Sequence, residues 1–172
     1  MRRIVLTGPE SCGKTTLTRA LGDRFRVPCA FEYARIYLEK HGPRYDYEIV
    51  HDIARGHLLH QAQQVPASCN LGFFDTDLLN FLVWCEVAFG CCEPWLREAA
   101  AAESDHVYLI CQPDLPWEYD ALREYPEGRE VLFEKHLAAV QATGRAYRII
   151  SGSGPDRLER AIQAVTELRE NC

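Results

Sequence analysis

Five short apolar runs punctuate the chain, and between them the hydrophobic positions recur at helical spacing rather than in alternation. The first run, residues 2–7, is apolar at nearly every position, as a parallel strand covered on both faces requires. Further strands are expected at 27–31, 70–77, 106–111 and 146–150. Helices are expected from 14 to about 24, over 33–40 until Gly42-Pro43 stops it, and from 46 to about 64, ended by Pro66. In the last of these Ile49, Val50, Ile53, Leu58 and Leu59 form the apolar positions. More helices follow at 78–88, at about 94–102, from about 129 to 143 before Gly144, and from Pro155 to about 170. Strands alternating with helices predict an α/β fold with a five-stranded parallel sheet, doubly wound through right-handed crossovers. No repeat, low-complexity tract or linker divides the 172 residues, so one domain is expected, with residues 112–129 as a small lid.

The chemistry begins where the first strand ends. Gly8-Pro9-Glu10-Ser11-Cys12-Gly13-Lys14-Thr15 fits G-x-x-x-x-G-K-[ST] at every specified position, with a strand before it and a helix after it. Glycines let the backbone curl around an anion, successive N–H groups point inward, and the helix aims its positive end at phosphate. Gly8, Glu10, Ser11, Cys12, Gly13, Lys14, Thr15 and Thr16 are therefore the expected nucleotide-binding residues, with Lys14 on the β- and γ-phosphates and Thr15 on magnesium.

The third strand closes on Asp75-Thr76-Asp77, the arrangement in which a strand-end carboxylate meets magnesium, and Asp75 is the expected ligand. Asp77 either holds an acceptor or caps the helix that follows. Ligands of open α/β sheets bind outside the carboxyl ends of the strands, which places Glu32 and Arg35 in the crevice that the phosphate loop faces. A surface glutamate at a helix start is the plainer reading of Glu32. Residues 112–129 are polar, punctuated by proline and rich in charge, and suit a lid carrying Arg123 and Arg129 toward a transferring phosphoryl group. The same arginines also have Glu118, Glu124, Glu127 and Glu130 as ordinary surface partners. His57 and His60 lack the further ligands a helical metal motif needs and are expected to line the pocket or lie exposed. The loop 151–154 either lets a flat adenine approach the backbone or is simply a turn.

Composition narrows the classes. The net charge is −6 and no Lys/Arg stripe tracks a nucleic-acid backbone, so nucleic acid is not an expected partner. No stretch approaches membrane-spanning length and the residues before the loop are too few for a signal peptide, so a cytoplasmic protein is expected. The eight cysteines, at 12, 29, 69, 85, 91, 92, 111 and 172, show no C-x-x-C spacing and are expected to be reduced, mostly buried thiols rather than a metal site. Cys12, near a helix N-terminus that favours thiolate, is expected to be sensitive to alkylation but not catalytic.

Gly8 to Leu17, Phe31-Glu32-Tyr33-Ala34-Arg35, Gly56-His57, Phe74-Asp75-Thr76-Asp77, and Pro116-Trp117 with Asp120-Ala121-Leu122-Arg123 together resemble the ribosylnicotinamide kinase domain of NadR-type proteins, over nearly the whole chain. The resemblance implies a P-loop kinase that uses ATP and Mg2+ to phosphorylate the 5′-hydroxyl of nicotinamide riboside, with Glu32 as the acceptor-side carboxylate. It implies the kinase unit alone, without the adenylyltransferase and DNA-binding parts of multidomain members. It further implies an acceptor site of Phe31, Glu32, Arg35, His60, Asp77 and Trp117, where Phe31 matches an aromatic that holds the pyridine ring and His60 falls near a position where the family often carries Tyr. Two readings stand beside it: a nucleoside or nucleotide kinase acting on another base, and a nucleotide-binding ATPase or GTPase regulatory module without an acceptor.

Overall fold

The computed structural model describes residues 2–124 and 126–170; Tyr125, within the segment expected to be a lid, and Cys172 lie outside them. The first strand, β1 (Arg2–Thr7), lies at the centre of a sheet with β3 (Leu71–Asp75) on one side and β4 (His106–Cys111) on the other. β2 (Cys29–Ala30) and β5 (Tyr147–Ile150) form the two edges, and all four pairings are parallel, in the order β2-β3-β1-β4-β5. The α/β fold with a five-stranded parallel sheet is thus the one that the alternation of elements predicts.

Alternation along each central strand feeds two cores. Ile4, Leu6, Phe73, Leu109 and Cys111 point to a face covered by α1 (Lys14–Phe25) and α7 (Gly154–Glu170), where Leu17, Leu21, Ala161 and Val165 meet them. Val5, Phe74, Tyr108 and Ile110 point the opposite way, to Phe133 and Val140 of α6 (Arg129–Ala142). Filling both faces is why these strands read as continuous apolar runs. A third cluster, built from Val50, Ile53, Leu78, Phe81 and Leu96, binds α2 (Tyr33–His41), α3 (Tyr47–Gln64), α4 (Leu78–Phe89) and α5 (Pro94–Ala102) to one another.

Two local differences from the sequence pattern have physical reasons. The second strand shrinks to two residues because Pro28 has no N–H to donate; its carbonyl still accepts from Phe73 N at 3.2 Å. Leu59, apolar on α3, is 68% exposed, since α3 buries one stripe and Leu59 falls outside it. Asp46 caps α3 by accepting from Ile49 N at 2.9 Å. Among the described residues no helix is long and apolar enough to cross a membrane.

Parallel register sets up the functional end of the sheet. Leu6 is paired with Asp75, and Thr76 N donates to Leu6 O at 3.0 Å, so the loop after β1 and the acids after β3 emerge side by side.

Candidate functional site

The phosphate loop occupies conformations open mainly to glycine where the motif demands it. Gly8 has φ 133°, and a Cβ there would lie 2.6 Å from Cys111 O. Gly13 has φ 78° and serves as the N-cap of α1. Between them Ser11 takes φ 53°, an unusual angle for a residue with a side chain and the kind of strain that folds keep at binding sites. Lys14 Nζ donates back to Gly8 O at 3.0 Å and Pro9 O at 2.7 Å, so its ammonium is held over the concavity of the loop.

Thr15 Oγ1 donates to Asp75 Oδ2 at 2.5 Å. The other oxygen, Asp75 Oδ1, is buried with no hydrogen-bond partner among the described residues. Burial and the neighbouring Glu32 charge push the Asp75 carboxyl up to about 7, against the pull of Lys14 and Thr15. A buried, under-satisfied carboxylate beside a hydroxyl is an oxygen donor set that fits Mg2+. Lys14 stays above the usual lysine range despite burial, because Cys12, Glu32 and Asp75 surround it.

One cavity of about 290 Å³ joins the loop to the opposite wall. Every residue from Gly8 to Thr16 lines it, with Glu32 and Arg35 across from the loop. Its apolar side comes from α4, where Asn80, Val83, Trp84 and Val87 fall on one helical face, and Tyr45 meets the Trp84 ring edge-on at 4.8 Å. Arg123 and Glu124 close it from the 112–128 segment, and His136 of α6 lies beneath.

That segment is docked on the loop. The Glu10 carboxylate accepts from Trp117 Nε1 and from Glu124 N, each at 2.9 Å. Ser11 Oγ accepts from Glu118 N at 3.0 Å and from Arg123 at 3.3 Å, while Arg129 donates to Ser11 O and Leu115 O. Arg35 reaches Asp120 at 2.9 Å, tying α2 to the same segment.

The expected site residues are therefore not all brought together. Lys14, Thr15, Asp75, Glu32, Arg35 and Arg123 converge, whereas Phe31, His60, Asp77 and Trp117 are absent from the cavity wall. Phe31 lies under the Arg19 guanidinium, 5.3 Å from its ring centre, because β2 ends before it and the chain turns outward. His60 packs against Tyr33 at 5.6 Å between ring centres. Asp77 is fully buried as the cap of α4, accepting from Leu79 N at 3.1 Å, His106 Nδ1 at 2.9 Å and the Tyr108 hydroxyl at 2.8 Å. Of its two sequence readings the geometry matches the cap. Trp117 is committed to Glu10 rather than to the cavity.

His57 is also buried rather than lining or exposed, accepting from Tyr33 N at 3.4 Å, and burial holds its imidazole down at about 4. Cys12 corrects a further expectation. Against the effect of burial, the Cys111 thiol and the charges of Lys14 and Arg157 lower Cys12 to about 6. Yet its side chain has no exposed surface, and its thiol donates to Pro9 O at 2.9 Å, so this conformation shields the sulfur from an alkylating reagent.

Two functional neighbours escaped the sequence. His136 exchanges a hydrogen bond with Thr7 Oγ1 at 3.1 Å, and burial together with Lys14 pushes it down to about 3. Arg157, 4% exposed, donates to Cys12 O at 2.8 Å, Gly152 O at 2.8 Å, Gln112 O at 3.1 Å and Asp114 Oδ1 at 2.6 Å, bracing the loop from behind.

The chain resembles known proteins over most of its length. A family model described as the AAA domain matches residues 3–157. The trifunctional NAD biosynthesis/regulator protein NadR of Escherichia coli is 28% identical over 127 residues, covering 72% of this chain and 31% of that protein. The chain thus spans about a third of the length of the curated relatives it matches. A crystal structure of a NadR protein in complex with NAD and AMP-PNP superposes with a TM-score of 0.81 at 25% identity, over 97% of this chain and 49% of that one. A NadR protein in complex with NR gives 0.79 at 23% identity, over 97% and 50%.

Proposed function

The chain belongs to the AAA domain family, and from that premise we infer that it is an ATP-dependent small-molecule kinase whose acceptor is the 5′-hydroxyl of nicotinamide riboside. The observation that carries this reading is the single cavity shared by the phosphate loop and by Glu32, Arg35 and the Trp84 face of α4. A nucleotide switch has no use for a second, aromatic, acid-flanked half to its site. NadR proteins solved with NR and with AMP-PNP support the choice of acceptor and donor.

In this reading the whole chain works as one kinase unit with residues 112–129 as its lid. The loop N–H groups and Lys14, released from the loop carbonyls, hold the β- and γ-phosphates. Thr15 and Asp75 would hold Mg2+, which supplies charge neutralisation on the phosphate oxygens. Glu32 orients the acceptor hydroxyl and takes its proton as the oxygen–phosphorus bond forms and the bond to the β-phosphate oxygen breaks, leaving ADP on the loop. Arg123 and Arg129 balance the charge of the transferring group, and Arg35, freed from Asp120, faces the acceptor. Trp84 and Tyr45 offer the flat surfaces for a cationic pyridine ring, the place that the family resemblance implied for Phe31 and His60. Catalysis is then positioning plus electrostatics.

Calorimetric titration tests the acceptor half on its own. Nicotinamide riboside should bind protein saturated with AMP-PNP and Mg2+, and Trp84→Ala should weaken it at least tenfold. Tighter binding of adenosine, guanosine or cytidine than of the pyridine riboside points to another base and overturns the assignment.

A further inference from the structure

A second cluster of chemistry lies behind the cavity wall, where nothing in the phosphoryl-transfer reading uses it. One ligand atom each from His51 on α3, Cys85 on α4 and Cys92 in the turn before α5 lie within 4.8 Å of one another. His51 and Cys85 are fully buried, Cys92 half-buried. His51 Nε2 lies 3.9 Å from Cys85 Sγ, and Nδ1 has no partner among the described residues. The nitrogen that faces Cys85 is Nε2, whose long sulfur contact is a weak partner for a buried imidazole nitrogen and leaves that atom open to an ion. Aromatic rings frame it, Tyr47 at 4.5 Å and Trp95 at 5.7 Å between ring centres, so water is not the ready partner.

We propose that His51, Cys85 and Cys92 bind a thiolate-preferring divalent transition ion of the zinc class. A tetrahedral ion with sulfur at about 2.3 Å and nitrogen at about 2.0 Å spaces its ligand atoms roughly 3.5–3.8 Å apart. The 3.9 Å separation of Nε2 and Sγ already stands near that spacing. Charge favours it as well: each thiol gives its proton to solvent on ligation, and two thiolates with a neutral imidazole cancel the double positive charge. The buried site is then neutral, avoiding the large cost of an uncompensated ion. Cys91 is exposed and adjacent to Cys92 in the chain, but its thiol is outside the three-atom cluster. The chemistry is soft, unlike the oxygen donors of Thr15 and Asp75, so the two sites select different ions. Bound there, the ion fastens α3, α4 and the start of α5 together behind the helix that presents Trp84 and Val87 to the cavity.

The test uses the full chain, purified under reducing conditions and stripped with a chelator, then titrated with Co2+ and with Zn2+. One equivalent of Co2+ should produce a sulfur-to-metal charge-transfer band, Zn2+ should displace it, and Zn2+ should raise the melting temperature. Cys85→Ser and Cys92→Ser should each remove the band or weaken binding at least a hundredfold, and Cys91→Ser should weaken it less. Cys12→Ser should leave it unchanged, which separates this cluster from the Cys12 and Cys111 pair under the loop. Absence of the band in the wild-type protein overturns the proposal without recourse to any variant. So does a band that survives in both Cys85→Ser and Cys92→Ser.

Discussion

The Glu10 carboxylate accepts a hydrogen bond from the Trp117 indole N–H at 2.9 Å, so the polar segment after β4 is anchored on the phosphate loop itself. The second oxygen of Glu10 accepts from Glu124 N, also at 2.9 Å, making one loop side chain the clasp for both ends of that segment. Removing a charged acceptor of this kind costs about 1.5 kcal/mol, roughly tenfold in the ratio of docked to undocked segment. Glu10→Ala should therefore speed proteolytic cleavage within residues 112–128 about tenfold, while cleavage elsewhere holds constant. Equal cleavage in both proteins would show that the clasp does not hold the segment.

Lys14 bonds to the carbonyls of Gly8 and Pro9 and, at 3.9 Å, to Cys12 Sγ, and its proposed task is the phosphate charge. Lys14→Ala should lower kcat/KM for the kinase reaction by about 10²–10³-fold, the size of a lost transition-state donor. The far-ultraviolet circular dichroism and melting temperature should stay near the wild-type values. Loss of the folded signal instead would assign Lys14 a structural role.

Gly56 lies in the middle of α3, where Gly→Ala ordinarily gains about 1 kcal/mol. Here a Cβ would sit 2.3 Å from Tyr33 Cε1 and 2.9 Å from Cζ. Gly56→Ala should lose about 1–3 kcal/mol of stability, the range for overpacked sites. Chemical denaturation reads the sign directly, and a gain would mean that α2 moves aside freely.

Acid should act through His136. Its imidazole titrates near 6.5 when unfolded but is pushed down to about 3 in the fold. Between those values the unfolded chain binds a proton that the folded one refuses, so stability falls as pH falls, by about 1.4 kcal/mol per unit for this one group. From pH 6.5, where the unfolded imidazole is already half protonated, to pH 5 the wild type should lose about 1.6 kcal/mol more than His136→Gln. Parallel urea titrations at both pH values measure the difference, and identical losses would remove His136 from the account.

Much of this was legible in the residues, for reasons that also explain what was not. The phosphate loop announces itself because backbone curvature and anion contact dictate residue type position by position, and Asp75 follows from its place at a strand end. The Trp84 wall did not show, although Asn80, Val83, Trp84 and Val87 are at helical spacing, because α4 is apolar nearly all round and one stripe has nothing to stand out against. Phe31 took its place from the family resemblance, but neighbours at the end of a strand point to opposite sides, and only Glu32 reaches the cavity. Arg157 carries no sequence signal, because its burial depends on the carbonyls of two distant residues, Cys12 and Gln112, together with nearby Gly152. His51, Cys85 and Cys92 share no motif spacing because three separate elements bring them together.

The central claim is that one cavity holds phosphoryl donor and acceptor at once, and product formation tests it most directly. Purified protein incubated with ATP, Mg2+ and nicotinamide riboside should yield nicotinamide mononucleotide and ADP in equal amounts, with Glu32→Gln slowing turnover at least a hundredfold. ADP released at the same rate with and without the riboside, and no mononucleotide formed, would contradict it.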